Sequence, residues 1–395
     1  MINIVDNLTK PHKLQSNSLI IAPPSCIGIM GGGQLARMLA ISARQMGYQI
    51  AILEPTDNSP AQPFANYHIK TKYDDKTGLD QLAKVSNVIT TEFENVPATS
   101  MAYLTKTVPT YPNHTAISIC QNRMAEKDFF NANSIPTTRY ASVVDLTDID
   151  NIDSSLFPAI LKTNTLGYDG KGQVLVDNQD ELKNAFYKLN NQSCIVEKLV
   201  SLKQEVSIMV ARNHNEIACY PVVENIHKNG ILDITIAPAK IDKYIKQQII
   251  EAATTIVQQL DYIGILGIEF FITTDNKILA NEMAPRPHNS GHYTIDACIT
   301  SQFEQQLRTI CSLKLGKTYM HSNAIMLNLL GDIWKKDNQH PDWQQILGQY
   351  DNIKLHLYDK KDARPGRKMG HLTLLGDNLD TLQTQVLEIK KILNI

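Results

Sequence analysis

Residues Ile265–Met283, ILGIEFFITTDNKILANEM, consist of two apolar runs on either side of Asp275-Asn276. Short runs rich in Ile and Phe predict β-strands, and Asp-Asn between them predicts a two-residue hairpin turn. In that register Glu269 lies directly opposite Glu282 on one face, with the Cβ atoms roughly 4.5–5.5 Å apart. The stretch therefore predicts an antiparallel hairpin that carries two facing carboxylates.

The facing pair of Glu269 and Glu282 predicts a metal site. Two carboxylates in apolar strands repel each other and are costly to bury, and a divalent cation between them removes both penalties. Carboxylates that hold Mg²⁺ against nucleotide phosphates are a common arrangement. The alternative is a slip by one residue, which would turn the glutamates to opposite faces, each beside its own lysine.

The segments before the hairpin predict a mixed α+β region. One helix begins near Asn122, and a longer helix covers Asp242 to Leu260. Short strands are predicted between the two helices, at Ala159–Lys162, Gln173–Val176, Ile195–Lys198, Glu205–Val210 and Ile217–Val223.

Sequence patterns towards both ends of the chain predict two further domains. Towards the N-terminus, strand and helix patterns alternate up to about residue 120, as in a small parallel α/β domain. Its strands are predicted at Cys26–Met30, Tyr48–Leu53, Asn87–Thr91 and Val108–Tyr111. From about Ala324 onward, strand-like runs precede one last helix, Leu379–Leu393.

Composition narrows the class of protein. The chain has 395 residues, of which 43% are hydrophobic and 20% charged, so we expect a globular protein of two or three domains. The net charge of −2 gives no basic field for nucleic acid. No apolar run approaches the roughly 20 residues of a membrane helix. Neither nucleic acid nor a membrane is therefore an expected partner.

The N-terminal segment and the cysteines favour a cytoplasmic enzyme. Residues 1–25 are polar and resemble neither a signal peptide nor an arginine-rich transit segment, so we interpret them as an extension. The six cysteines form no C-x-x-C pair, and several lie in apolar runs. Reduced, buried thiols are the expected state.

A glycine loop opens the N-terminal domain and allows three interpretations. Gly31-x-Gly33-x-x-Ala36 follows a strand and begins a helix, and Glu54 ends the next strand. This pattern matches a dinucleotide-binding fingerprint with its ribose-binding acid. It also suits any other phosphorylated ligand at a helix N-terminus, or a tight turn without a ligand.

A second glycine-rich loop, residues 167–173, follows a strand that ends at Lys162. It lacks the Gly-Lys-Ser/Thr ending of a P-loop. Backbone N–H groups and one lysine suit a lid that closes over phosphates and excludes water. A plain hairpin tip is the alternative.

Two more polar clusters are candidate binding sites. Residues 285–292, PRPHNSGH, directly follow the second strand of the hairpin, and Arg286 there suits an anion clamp. His288 and His292 lack the spacing of a zinc motif. Near the C-terminus, five cations surround Pro365-Gly366, either as a solvated charge run or as a phosphate site: Lys360, Lys361, Arg364, Arg367 and Lys368.

Taken together, five motifs resemble the 5-(carboxyamino)imidazole ribonucleotide synthase family of ATP-grasp carbon–nitrogen ligases. The resemblance covers the chain from about Cys26 to the end, in the family's order. The motifs are IGIMGGGQLARM at 27–38, TEFENVP at 91–97, GYDGKGQ at 167–173, NEMAPRPHNSGH at 281–292 and RPGRKMGH at 364–371.

The resemblance implies a fold and a reaction. The fold would be ATP-grasp, with an N-terminal Rossmann-like (pre-ATP-grasp) domain and a small C-terminal domain. The implied reaction consumes ATP, bicarbonate and 5-aminoimidazole ribonucleotide and proceeds through carboxyphosphate in purine biosynthesis. The implied divisions are an extension at 1–25, the Rossmann-like domain at 26–121, the ATP-grasp domain at 122–315 with a lid at about 135–196, and the C-terminal domain at 316–395.

The resemblance also implies the nucleotide-binding residues. Glu269 and Glu282 would hold Mg²⁺, or Mn²⁺ in its place. Glu197 begins the hinge that would face adenine, and Glu205 would contact the ribose hydroxyls. The full set implied for ATP is Arg123, Lys162, Gly167, Tyr168, Asp169, Gly170, Lys171, Gly172, Gln173, Glu197, Lys198, Leu199, Val200, Glu205, His227, Asn281 and Glu282.

The same resemblance implies a site for the ribonucleotide. Asp169 would accept the proton of the amine, Arg286 would bind bicarbonate or carboxyphosphate, and Lys360 would complete the catalytic set. A homodimer and functional coupling to the downstream carboxyaminoimidazole ribonucleotide mutase are implied as well. The implied ribonucleotide contacts are Gln34, Leu35, Glu92, Tyr168, Asn289, Lys360, Arg367 and Lys368.

Overall fold

The computed structural model of the chain describes residues 19–165, 172–334 and 340–395. Ile21 belongs to the predicted extension, yet its N–H donates to the carbonyl of Cys311 at 3.0 Å and its carbonyl accepts from Tyr48 Oη at 2.7 Å. All six cysteines are free thiols. Within the described ranges, no helix is both long and apolar enough to cross a membrane.

The N-terminal domain is a four-stranded parallel sheet in the order β3-β2-β1-β4. Its interior is apolar on both faces of β1, as expected for a parallel sheet covered by helices. Its strands are β1 (Cys26–Met30), β2 (Gln49–Leu53), β3 (Tyr67–Ile69) and β4 (Val88–Thr91), and its helices are α1 (Gln34–Gln45), α2 (Lys76–Val85), α3 (Ala98–Leu104) and α4 (His114–Cys120).

A separate four-stranded antiparallel sheet, in the order β5-β8-β6-β7, occupies the predicted lid. Helix α5 leads into it and begins where Asn122 caps the backbone N–H of Ala125. The strands are β5 (Tyr140–Val143), β6 (Ala159–Thr163), β7 (Gln173–Val176) and β8 (Cys194–Lys198), and the helices are α5 (Arg123–Ala132), α6 (Leu146–Asp150) and α7 (Gln179–Lys188).

A nine-stranded sheet joins the central and C-terminal parts of the chain. Its order is β14-β13-β9-β11-β12-β15-β17-β16, with β10 paired to β9. The strands are β9 (Leu202–Arg212), β10 (Ile217–Cys219), β11 (Val223–Lys228), β12 (Ile231–Ala237), β13 (Gly264–Thr273), β14 (Ile278–Ala284), β15 (Asn323–Leu330), β16 (Ile353–Leu357) and β17 (Lys368–Gly376). The helices are α8 (Lys243–Gln259), α9 (Thr294–Ala297), α10 (Gln302–Ile310), α11 (Trp343–Gln349) and α12 (Leu379–Leu393).

The hairpin of β13 and β14 differs from its prediction at the turn. Thr273 pairs with Lys277, so the loop has three residues, and Asn276 adopts a left-handed backbone with φ of 61°. A bulge then follows, because Phe270 pairs with Ala280 whereas Glu269 pairs with Glu282. The longer turn and the bulge cancel, so the predicted facing of the two glutamates is confirmed although the predicted turn is wrong.

Two predicted strands also need correction. The run Ile217–Val223 is divided at Tyr220-Pro221-Val222 into β10 and β11, because proline cannot donate a ladder hydrogen bond. Val108–Tyr111 forms no full strand and contributes only a bridge between Ile89 and Thr110. Helix α12 has the bounds predicted for it, and α8 begins directly after its predicted first residue, Asp242, which caps it.

Candidate active site

Two cavities of about 540 and 650 Å³ lie side by side between the three parts of the chain. The first contains the paired glutamates and strands of the lid, and the second contains the glycine loop and the C-terminal cations. Five side chains line both cavities and form what we call the shared wall: Glu94, Arg286, His288, Asn289 and Lys368.

The facing glutamates carry the electrostatics expected of a metal site. Burial, together with the charge of Glu282, raises the pKa of Glu269 to about 8. Arg123 Nη1 lies 3.2 Å from Glu282 Oε2. In the described part of the chain, no group of three or more His, Cys, Asp or Glu side chains could hold a metal ion. Glu269 and Glu282 are direct partners on one face, and two such carboxylates fit a Mg²⁺ or Mn²⁺ ion that would take its remaining oxygens from phosphate and water.

A buried ion-pair network lies beside the part of the first cavity that the lid strands line. Glu197 Oε1 is 3.0 Å from Lys162 Nζ, and Glu197 Oε2 is 3.4 Å from Lys127 Nζ. Burial opposes the charge of Glu197, yet the two lysines lower the pKa of this carboxyl to about 2. Its carboxylate thus holds Lys162, which lines the cavity. Lys127 also donates to the carbonyl of Asn281 in β14 at 2.9 Å.

The lining of the first cavity also includes a His–Glu pair. His227 Nδ1 lies 2.7 Å from Glu205 Oε2, and this contact raises the pKa of His227 against the effect of burial. Gly172, Gln173 and Asn281 complete this predicted set along the lining.

The hinge predicted at residues 197–200 contacts the segment that precedes β6. Lys198 Nζ donates to Ser155 O at 2.6 Å, and Leu199 N–H donates to Pro158 O at 2.8 Å. These groups are thus engaged with the segment before β6, and Val200 is partly buried.

The glycine loop is occupied by protein carboxylates. Glu92 Oε1 accepts from Gly33 N–H at 2.7 Å, and its Oε2 accepts from Ala36 N–H at 3.1 Å. Glu54 accepts from Gly32 N–H at 3.0 Å and also from Tyr73 Oη. The helix N-terminus that a dinucleotide pyrophosphate would need is therefore filled, and Glu54, the acid that would bind a ribose in that interpretation, is already hydrogen-bonded.

The second cavity brings distant predicted residues together. Lys360 Nζ donates to Gln34 Oε1 in the glycine loop and to Lys368 O at 2.6 Å. Arg367 Nη1 donates to Asp362 O at 2.7 Å. Leu35 and Glu92 line the floor. Four of the five cations near Pro365-Gly366 therefore line a cavity, and Arg364 is not among the lining residues.

Asn289 provides an independent sign of a ligand in the shared wall. It is 7% exposed, and both its amide oxygen and its amide nitrogen lack a hydrogen-bond partner in the structure. Buried amides are normally hydrogen-bonded, so this one is poised for a polar ligand.

Arg286 lies in the same wall, where its Nε donates to Glu94 Oε2. Burial opposes the charge of Glu94, but the guanidinium lowers the pKa of that carboxyl to about 2. The contact with Glu94 fixes one edge of the Arg286 guanidinium, and the positive charge of Arg286 stays within the shared wall.

Several predictions fall outside the described residues, namely those for Gly167, Tyr168, Asp169, Gly170 and Lys171. Sequence reasoning also missed Glu94, Lys127 and His288 as parts of the site. Two signals were available: Glu94 is two residues after Glu92, and Lys127 is one helical turn after Arg123. His288 was considered only as a metal ligand.

Comparison with known proteins identifies each part of the chain. Three family models match in order: the ribonucleotide synthetase preATP-grasp domain at residues 25–121, the ATP-grasp domain at 128–303, and the phosphoribosylaminoimidazole carboxylase C-terminal domain at 324–385. The N5-carboxyaminoimidazole ribonucleotide synthase of Bacillus subtilis (strain 168) is 40% identical over 358 residues, which are 90% of this chain and 93% of that protein.

Solved structures of proteins from the same family are also similar to this chain. An ADP complex of an N5-carboxyaminoimidazole ribonucleotide synthetase matches with a TM-score of 0.89 and 40% identity, over 95% of this chain and 99% of that one. The Aspergillus clavatus N5-carboxyaminoimidazole synthase, with ADP and 5-aminoimidazole ribonucleotide, matches with a TM-score of 0.86 and 31% identity, over 94% and 98%. The chain therefore has the ATP-grasp fold and belongs to the N5-carboxyaminoimidazole ribonucleotide synthase family of ligases.

Proposed function

We propose that this chain catalyses the ATP-dependent carboxylation of 5-aminoimidazole ribonucleotide with bicarbonate, through carboxyphosphate, in purine (IMP) synthesis. The products are 5-carboxyaminoimidazole ribonucleotide, ADP and phosphate. The observation that carries the proposal is the shared wall. An activated carboxyl group formed in one cavity must meet an amine held in the other, and five side chains line both.

The first cavity would bind ATP. Lys162 and Arg123 supply cations for the phosphates, and the Glu205–His227 pair suits the ribose hydroxyls. Adenine would face the backbone at residues 197–200. Glu269 and Glu282 would hold Mg²⁺, which when bound neutralises phosphate charge during transfer.

The chemistry follows from this arrangement in two steps. An oxygen of bicarbonate attacks the γ-phosphorus, the bond to the bridging oxygen breaks, and ADP leaves with carboxyphosphate formed. The amine nitrogen then attacks the carboxyl carbon, directly or after its release as CO₂, and phosphate departs with one oxygen from bicarbonate. Arg286, held by Glu94, would stabilise the negative charge of the intermediate.

The second cavity would hold the ribonucleotide. Lys360, Arg367 and Lys368 suit its phosphate, and Gln34 and Glu92 suit its ribose and base. Leu35 would pack against it, and Asn289 would supply the free amide described above. Asp169 would accept the proton that the amine loses, with Tyr168 beside it.

The test is ADP formation with 5-aminoimidazole ribonucleotide, glycinamide ribonucleotide or biotin as acceptor, each with and without bicarbonate. We expect rapid turnover only with the first acceptor and only with bicarbonate. With ¹⁸O-labelled bicarbonate, one label should appear in the released phosphate. Turnover with another acceptor would favour a different ATP-grasp carboxylase, and nicotinamide binding without ATP hydrolysis would favour an oxidoreductase.

We further propose that the enzyme works as a cytoplasmic homodimer coupled to the downstream mutase. The support is the family resemblance. Light scattering of the purified chain would report its oligomeric state. Measurement of product transfer in the presence of excess mutase would show whether the product passes by contact or by diffusion.

A further inference from the structure

A line of buried polar side chains ends on His288. Thr235 Oγ1 donates to Asn225 Oδ1 at 3.1 Å, and Asn225 Nδ2 lies 2.8 Å from Ser207 Oγ. Ser207 Oγ is 2.7 Å from Ser290 Oγ, and Ser290 Oγ is 2.9 Å from His288 Nδ1. Ser207, Ser290 and Thr235 are fully buried, and Asn225 is nearly so. We call Asn225, Ser207 and Ser290 the relay.

The direction of these hydrogen bonds is set at the histidine end. The backbone N–H of Ser290 points at His288 Nδ1 from 3.4 Å. A backbone amide can only donate, so Nδ1 must present its lone pair and carry no proton. The Ser290 hydroxyl then also donates to Nδ1, the Ser207 hydroxyl donates to Ser290, and the Asn225 amide donates to Ser207. Every bond of the relay is satisfied in this one direction.

The backbone of His288 is held in place as well. Gln302 Oε1 accepts from the backbone N–H of His288 at 2.9 Å, and Gln302 Nε2 donates to its carbonyl at 2.8 Å. The ring packs on Gly267, where an added Cβ would lie 2.7 Å from the Cβ of His288. The orientation of the imidazole is therefore determined by its backbone, its packing and its Nδ1.

We propose that Asn225, Ser207 and Ser290 are positioning residues that hold His288 as the Nε2–H tautomer, so that it presents a hydrogen-bond donor to the shared wall. Nε2 lies 3.7 Å from Glu269 Oε1, at the boundary between the two cavities. The other tautomer would present a lone pair there and could not donate a hydrogen bond to a bound anion. This inference rests on the proposed function, since it assigns the donor to the bicarbonate-derived anion.

The tautomer can be observed without an activity measurement. In the full chain labelled with ¹⁵N-histidine, long-range proton–nitrogen spectra distinguish a protonated ring nitrogen from an unprotonated one. The signals of His288 are those missing from the His288→Gln variant. We expect Nε2 protonated and Nδ1 unprotonated in the wild-type protein, and the reverse pattern would overturn the proposal.

A pair of serine variants tests the relay. In Ser290→Ala the loss of one hydrogen bond should shift the tautomer ratio and lower kcat by about fivefold, with the KM for ATP unchanged. Ser207→Ala keeps the last donor and should have the smaller effect on both. Ser86→Ala is the control, because Ser86 Oγ is buried without a partner and Ser86 lines neither of the two cavities.

The outcomes separate the two proposals. If Ser290→Ala leaves both the tautomer and kcat unchanged, the relay does not act. If Ser290→Ala fails to fold, the wild-type spectrum and Ser207→Ala still decide the point. If the wild-type chain forms no ADP with the ribonucleotide and bicarbonate, the proposed function fails, while the wild-type spectrum still reports the tautomer.

Discussion

Glu269 and Glu282 are direct partners across β13 and β14, held in that position by a three-residue turn and a compensating bulge. Neither irregularity alone would place the two carboxylates on one face, because a shift of one residue reverses the side chain. The site therefore depends on backbone features on both sides of Ala280, and the two carboxylates act as a unit.

Glu282→Gln should retain the fold and lose bicarbonate- and substrate-dependent ATP turnover by about 10²–10³-fold, because phosphate charge is no longer neutralised. Steady-state ADP release checks this, with circular dichroism as the test of folding. Asp275→Asn is the matched control, since it removes a carboxylate from the turn of the same hairpin. Near-normal turnover in Glu282→Gln would contradict the metal assignment.

Glu269→Gln should make the ligand-free protein more stable at pH 8. The pKa of Glu269 is about 8 in the folded protein, above the roughly 4.3 of an unfolded chain. Its contribution to stability is thus fully present below about pH 4.3 and is lost as pH rises through 8. Denaturant unfolding at several pH values, without Mg²⁺ and nucleotide, should show a weaker decline with pH in the variant. An equal decline in both proteins would refute the shift.

Glu197→Gln should cost about 3–5 kcal/mol of unfolding free energy, because it leaves Lys127 buried without its carboxylate. The KM for ATP should also rise, since Lys162 loses the partner that fixes it. Lys188→Gln, at the exposed end of α7, is the control and should change neither quantity much. Urea denaturation and ATP titration measure both effects. An unchanged stability would mean that Lys127 is neutral in the folded protein.

Gly33→Ala should weaken ribonucleotide binding, because an added Cβ would lie 2.5 Å from Glu92 Oε1 and displace that carboxylate. We expect the KM for the ribonucleotide to rise by about tenfold, an effect of about 1.4 kcal/mol. Gly348→Ala in α11 is the control, since its new methyl group meets nothing within 4 Å. If both variants bind the ribonucleotide normally, Glu92 has no role in the second cavity.

Local sequence patterns were sufficient for most strands and helices of the core. Helix α12 and strand β7 have their predicted bounds because their periodicity and caps are local features. The hairpin turn was predicted wrongly, since Asp-Asn is compatible with both a two- and a three-residue loop. Only the pairing with β9 and the bulge at Asn281 settle the register.

Local sequence patterns predicted less of the candidate active site than of the fold. Lys127 binds Glu197 across 70 residues of sequence, and Lys360 binds Gln34 across 326. No periodicity reports contacts at that separation. The family resemblance supplied the residues that face the cavities, but it did not reveal Glu94 behind Arg286 or the serines behind His288.

Strand β12 is paired on one side with β11 and on the other with β15, although the predicted domain boundary at residue 316 lies between β12 and β15 in the sequence. Truncation at that boundary would expose the backbone of β12 as an unpaired edge and uncover Ile236, which packs in the C-terminal core. Exposed edges of this kind recruit other chains. We therefore expect the C-terminal part to shield β12 from association with other chains, and we expect the two parts to unfold together.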